Sequence, residues 1–266
     1  MNFKTILTVI VVIVALYLLY YFLLASKTSS LISQMPAMSE TKLKIVKAKD
    51  LEQQWGTDFA FSIWYAVDNW NTNTTVKKNI FSVAARPASA AGGADTVEKT
   101  IPNAPDLEVF FDANVNDIII KLAGSGATPT DCDYGGTAVT PAAGEFCCKI
   151  VNVPLQKWTN LIISINDRVL DVYLDGKLVK TCIMQAPPLK LGRGSSKNVY
   201  VGGYDSEKSF GGFISGLRHF GTSINPRKAW DIYKKGHEGE GYNLFSSFNV
   251  KFSLLKNDVE IESTTL

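Results

Sequence analysis

The chain has 266 residues, a formal net charge of +2 and 20% charged residues, so no strong field points to nucleic acid or to an acidic partner. Hydrophobic residues make up 46% and aromatics 11%. With recurrent Thr, Val, Ile, Asn and Gly, that mixture favours strands and tight turns over helices.

Residues 6–24 read ILTVIVVIVALYLLYYFLL, a 19-residue run without a charge. As a helix, rising about 1.5 Å per residue, it is long enough to cross the hydrocarbon core of a bilayer. Lys4 and Lys27 bracket it, and Tyr17, Tyr20, Tyr21 and Phe22 gather where an aromatic belt would sit. A transmembrane anchor is expected over 1–27, with the lipid bilayer as its partner and a single-pass membrane location. A cleaved signal peptide is the alternative, but this core is longer than such peptides carry and the exit LLASK is a poor cleavage site. The lysines on the two sides nearly balance, so orientation stays open.

Residues 28–50 read as a stalk or linker with a candidate edge strand: 26–40 are Ser-rich with Met35-Pro36, and the basic stretch TKLKIVKAKDLEQQ follows over 41–54. Leu43 and Ile45 alternate there as in an edge strand, whose lysines would discourage edge-to-edge pairing. Contact of those lysines with anionic headgroups is a second role for the same segment.

Over 51–236 the pattern is that of strands. DFAFSIWYAVDNW alternates Phe59, Phe61, Ile63 and Tyr65 against Ala60, Ser62, Trp64 and Ala66, which predicts one buried face. NIFSVAA is a second strand, and residues 106–124 read as two strands joined at 114–116. Residues 86–105 and 125–145 read as loops. CCKIVNVPL, NLIISIND, RVLDVYLD and GKLVKTC follow with very short connections. With Asn166-Asp167 and Asp175-Gly176 as two-residue turns, Ile163 faces Leu170, Leu161 faces Val172, Tyr173 faces Leu178, Val172 faces Val179 and Asp171 faces Lys180. Both turns then place Leu161, Ile163, Leu170, Val172, Leu174 and Val179 on one inward face, which predicts a three-stranded meander. NVYVGGY and FGGFISGLRHFG are further strands. INPRKAWDIYKKG is the one convincing soluble helix, with Asn225 as cap, Pro226 at the first position, Gly236 after the last turn, and Trp230 and Tyr233 to dock it. The tail, 237–266, offers a last hairpin across Lys256-Asn257.

In this order, FAFSIWYAVDN, PLQKWTNLIISIND, LDVYLDGKLV and GGFISGLRHFGTSINPRKAWDIYKKG resemble the concanavalin A-like, laminin G-type jelly roll, over roughly residues 55–236. The resemblance implies an all-β antiparallel sandwich, here behind an N-terminal transmembrane helix and with one short C-terminal helix. The phrase running from the Trp158 segment to LDVYLDGKLVKTC is similar to the version in large DNA viruses of algae and protists, whose members are membrane-anchored virion or minor capsid proteins. That similarity implies a structural protein linking the membrane to neighbouring capsid proteins. Because the fold also hosts lectins and hydrolases, a membrane-displayed lectin that attaches to host glycans is the alternative.

Candidate chemistry is sparse. The four cysteines are Cys132, Cys147, Cys148 and Cys182. No CxxC pair is present and the histidines are two, His219 and His237, which argues against structural zinc. Neighbours Cys147 and Cys148 point to opposite faces of a strand. Each therefore pairs more readily with a distant residue; behind a membrane anchor at least one bridge is expected, with Cys132 and Cys182 as the distant partners, and buried free thiols in a reducing compartment are the alternative. Asp258, Glu260 and Glu262 share a strand face but lack the spacing and central position of a glycosidase pair. No nucleophile elbow, dinucleotide fingerprint or phosphate loop occurs, and His219 reads as a packed or surface residue. An enzyme is not expected, and no cofactor beyond calcium is suggested. For calcium, the loop acids Asp131, Asp133, Asp205 and Glu207 are the candidates, without a ligand ladder. For a glycan, Trp70, Tyr134 and Tyr204 are the candidate stacking residues. Asn73, in the sequon NTT, is a glycosylation acceptor if it reaches a secretory lumen.

Overall fold

The computed structural model describes residues 56–85, 105–123, 145–188, 197–203 and 209–237, short strands at 30–33, 44–47, 133–134, 137–138, 251–256 and 259–265, and helical residues 12–13 and 16–17. Most of the expected anchor, 6–24, lies outside the described residues, and among those that are described no helix is long and apolar enough to cross a membrane.

Chain order gives β1 (Ser30–Ser33), β2 (Lys44–Lys47), β3 (Phe59–Asn69), β4 (Lys78–Ala85), β5 (Leu107–Phe111), β6 (Ile118–Ala123), β7 (Asp133–Tyr134), β8 (Thr137–Ala138) and β9 (Glu145–Ile150). After these come β10 (Thr159–Asn166), β11 (Val169–Leu174), β12 (Lys177–Ile183), β13 (Lys197–Val201) and β14 (Gly211–Phe220). The helix Pro226–Lys234 follows, and β15 (Lys251–Lys256) and β16 (Val259–Thr265) close the order. Among the described residues, two six-stranded antiparallel sheets form, ordered β1-β14-β3-β10-β11-β12 and β2-β13-β4-β5-β6-β9. Small hairpins β7–β8 and β15–β16 stand apart from them, the second at the place expected for the tail hairpin. The basic strand β2 takes the edge of its sheet, as its lysines predict.

The alternation in the sequence sets the layers. Phe59, Phe61, Ile63, Tyr65 and Val67 of β3 meet Phe81, Val83, Val109, Phe111, Ile120, Leu122 and Val199 of the facing sheet in one continuous core. Burying each such side chain contributes about 1.5–3 kcal/mol. The expectation of a single buried face on β3 is corrected, because residues 59–67 are buried on both faces. The second face lies under the closing helix, where Ala60, Ile162, Tyr173 and Phe220 pack with Ala229 and Ile232. The Tyr173 hydroxyl donates to the Ile224 carbonyl at 3.2 Å, pinning the approach to the helix.

That helix is built as the sequence foretells. Asn225 is extended and its side chain accepts from the Lys228 amide at 2.9 Å, Pro226 starts the helix, and Gly236 follows with φ of +76°. Its docking differs from expectation. Ala229 and Ile232 are the buried anchors, whereas Trp230 is 43% exposed and Tyr233 half-buried.

The β10-β11-β12 meander forms, with two corrections to its register. The first turn is Asp167-Arg168, so Ile163 faces Val172 and Leu161 faces Leu174. The slip is two residues, and a strand's period of two leaves every face unchanged. The second correction alters faces. A bulge at Val179 breaks the ladder between Tyr173↔Leu178 and Val172↔Lys180. Asp171 therefore lies across from Thr181, whose hydroxyl donates to it at 2.6 Å, and not across from Lys180. Val179, expected inside, is 47% exposed.

The bulge decides what Cys182 can do. In the bulge-free pairing Cys182 would stand opposite Val169 and face outward; the bulge sets it opposite the buried Leu170. From there it bonds to Cys148 of β9, with Cα atoms 6.2 Å apart. Strands β12 and β9 are both edges, so the bond staples the two sheets along one side. Lys180, also turned inward, donates to the Lys149 carbonyl at 2.9 Å and adds a second tie there. Cys147, on the other face of β9, is disulfide-bonded as well. Cys132 lies outside the described residues.

Candidate functional site

On the outer side of the first sheet, beside the helix, six aromatic rings follow one another. Phe213 of β14 lies 6.2 Å from Trp158, which stacks on His237 at 4.4 Å between centroids and 17° between planes. His237 meets Trp64 of β3 edge-on at 6.1 Å. Trp64 stacks on Tyr233 at 5.7 Å, and Tyr233 touches Trp230 at 5.4 Å. The ends of the ridge face water: Phe213 is 39% and Trp230 43% exposed, while Trp64 beneath the middle is 6% exposed.

Local sequence explains each placement. Gly211 and Gly212 let β14 close on β3, since a Cβ on Gly212 would sit 2.1 Å from the Ala66 carbonyl oxygen. That approach presents Phe213 outward beside Trp158. Gly176 takes φ of +75° in the Asp175-Gly176 turn and also touches the helix; its Cβ would lie 3.0 Å from both Trp230 and Tyr233. The turn and the aromatic end of the helix are thus fitted together. The Ser215 hydroxyl donates to the His237 carbonyl at 2.6 Å and holds the chain after the helix against the sheet.

The ridge has polar neighbours. Asp175 accepts from the Asn160 amide at 2.9 Å and pairs with Lys157 at 2.8 Å, next to Trp158 in sequence. Burial first, and then the Asp175 charge, push the Tyr65 hydroxyl well above its ordinary range. An apolar surface of rings with hydrogen-bonding groups at its margin is suited to stacking on a flat, partly apolar ligand face.

The expected site residues are distributed elsewhere. Trp70 follows β3, edge-on to Phe111 at 6.0 Å, and the Lys78 ammonium sits 4.2 Å from its ring centroid. Lys78 is fully buried and donates to the Ala113 carbonyl at 3.1 Å; burial lowers its pKa, against the nearby Asp112 charge. One face of Trp70 is therefore occupied by a cation. Asn73 has φ of 55°, and its side-chain amide donates to the Ser209 carbonyl at 2.9 Å. His219 is fully buried against Phe61 at 5.1 Å, and burial pushes its pKa down to about 4. Tyr134 and Asp133 are placed only as members of β7, and Glu260 and Glu262 as members of β16. Asp131, Tyr204, Asp205, Glu207 and Asp258 lie outside the described residues. Among the described residues, no group of three His, Cys, Asp or Glu is arranged to hold a metal ion.

The ridge was missed because Trp158, Phe213 and His237 belong to three distant segments. The one local signal was Trp230 and Tyr233, three apart on a short helix too small to bury both.

No family model matches the sequence, and no curated protein matches it significantly. Among solved structures, the chain is similar to the binding domain of botulinum neurotoxin serotype G, at 14% identity and a TM-score of 0.49, covering 75% of this chain and 42% of that one. It is similar to the serotype D ligand binding domain in complex with N-acetylneuraminic acid, at 10% identity and 0.45, covering 73% and 40%. It is also similar to Trypanosoma rangeli sialidase, at 12% identity and 0.40, covering 67% and 22%. The chain thus spans less than half the length of each of these structures. With its two antiparallel sheets and closing helix, the described part of the chain is an all-β antiparallel sandwich, as expected.

Proposed function

We propose that this chain is a membrane-displayed carbohydrate-binding protein, a binder rather than an enzyme. The aromatic ridge carries the reading, and chiefly its open end at Phe213, Trp158 and His237. Pyranose rings present apolar C–H faces that stack on such rings, and margin groups such as Lys157 and Asp175 take the hydroxyls. The family resemblance supports the same direction, since the fold hosts lectins. A glycan array probed with the full chain in detergent tests it. Reproducible binding to one saccharide class, weakened by Phe213→Ala and Trp158→Ala, is expected; no binding to any saccharide would overturn it.

A second reading has the sandwich as a structural virion component that links a membrane to neighbouring capsid proteins. Two observations favour it: the uncharged run at residues 6–24, and the likeness of LDVYLDGKLVKTC to membrane-anchored virion proteins of large DNA viruses. Protease accessibility and cross-linking on purified virions would test it. Protection with cross-links to capsid subunits is expected on this reading, and absence of the chain from virions would remove it.

A further inference from the structure

The outward face of the closing helix carries charge that the glycan site does not use. Arg227, Lys228, Lys234 and Lys235 are all exposed. Asp231 is the single acid among residues 226–235, paired with Lys234 at 3.1 Å. At about 100° per residue, Trp230, Lys234, Arg227 and Asp231 follow one another around the side opposite the buried Ala229 and Ile232. An exposed tryptophan among exposed cations is the composition of an interfacial surface, in which the ring sits at headgroup depth and the cations meet lipid phosphates.

The topology brings the anchored end of the chain to the sheet on whose outer side this helix lies. Strand β1 pairs antiparallel with β14, with Ser30 opposite His219 and Ser33 opposite Leu217. The chain therefore enters β1 at the end where β14 leaves for the helix, and Phe220 already packs on Ala229 and Ile232. From Leu24, where the apolar run stops, to Ser30 is six residues. Six residues reach at most about 20 Å. A chain anchored by residues 6–24 thus holds the first sheet near the membrane surface, with Trp230 towards the far end of that sheet beside the Asp175-Gly176 turn; this proximity rests on the anchored reading above.

We propose that the helix Pro226–Lys234 lies on the membrane as an anionic-lipid contact. Trp230 enters the headgroup layer and Arg227, Lys228, Lys234 and Lys235 bind lipid phosphates. The contact fixes the tilt of the sandwich on the membrane.

The test uses the full chain reconstituted in vesicles of phosphatidylcholine alone and of phosphatidylcholine with phosphatidylserine. Both carry lipid brominated near the headgroup, and tryptophan emission is read. The expected result is extra quenching in the anionic vesicles, absent in Trp230→Phe and reduced by roughly half or more by high salt or by Arg227→Gln with Lys234→Gln. These positions are exposed, so near-ultraviolet dichroism should show the variants folded. Equal quenching in both vesicle types, or anionic-dependent quenching that survives Trp230→Phe, would overturn the proposal. Binding of heparin without lipid-dependent quenching would overturn it in favour of an acidic glycan. Alkaline extraction scores the anchor separately, and the glycan array scores the lectin reading, so the failure of either is distinct from failure here.

Discussion

Removing the Cys148–Cys182 bond should cost the sandwich much of its stability. The bond closes a segment with a sequence separation of 34 residues. The chain-entropy estimate for a loop of that size is about 4 kcal/mol. A domain of this size loses roughly 2–4 °C in Tm per kcal/mol, so the paired Cys148→Ala, Cys182→Ala variant should melt roughly 8–16 °C lower. Changing both residues avoids a lone thiol. The backbone ladders and the Lys180 contact to Lys149 remain, so the fold itself should persist. Calorimetry on wild type and variant under identical non-reducing conditions gives the number. The bulge supplies a control. Deleting Val179 lets a regular ladder reproduce the observed pairing of Cys182 with Leu170, so that variant should keep its bond and resist alkylation. A Tm drop of less than about 2 °C on removing both cysteines, or free Cys182 after deletion of Val179, would refute the reasoning.

Other outcomes follow from single side chains. Gly212→Ala sets a methyl 2.1 Å from the Ala66 carbonyl oxygen, so β14 must shift, at a cost of about 3 kcal/mol in denaturant unfolding. An unchanged midpoint would show that the two strands are not so close. Asn225→Ala removes the cap on the Lys228 amide and should cost about 1 kcal/mol, read the same way. His219 is buried with a pKa lowered from 6.5 to about 4, so the folded state favours its neutral form. Between those values the unfolded chain binds more protons; stability is complete above pH 6.5 and falls as pH drops towards 4, by up to about 3 kcal/mol. His219→Leu should lack that portion of the acid loss, and an identical pH profile would place the titrating group elsewhere.

Much of the sandwich was legible along the chain, because strand alternation and turn chemistry are local. The Asp175-Gly176 turn, the meander, the edge position of Lys44–Lys47 and the capped helix all followed from neighbours within a few residues. What escaped was set by distant segments. The second buried face of β3 depends on a helix more than 150 residues later. The bulge at Val179 has no signature in its residue type; it turns Cys182 inward, to a partner on the other sheet. The inward face survived a misplaced first turn only because the slip was an even number of residues. The ridge was least visible of all, since Trp64, Trp158, Phe213 and His237 become neighbours only when two strands, a pre-strand residue and the segment after the helix converge. The residues singled out for glycans instead included Trp70, whose ring already carries the Lys78 cation.

The central claim is that the aromatic ridge holds carbohydrate. Titration calorimetry of the full chain in detergent, against the saccharide selected on an array, tests it most directly when repeated with Phe213→Ala. Removing one stacking ring should weaken binding about tenfold while the melting temperature stays within a few degrees, because Phe213 lies outside the core. Binding of equal strength in the variant, or no saccharide bound by the wild-type chain, would contradict the account.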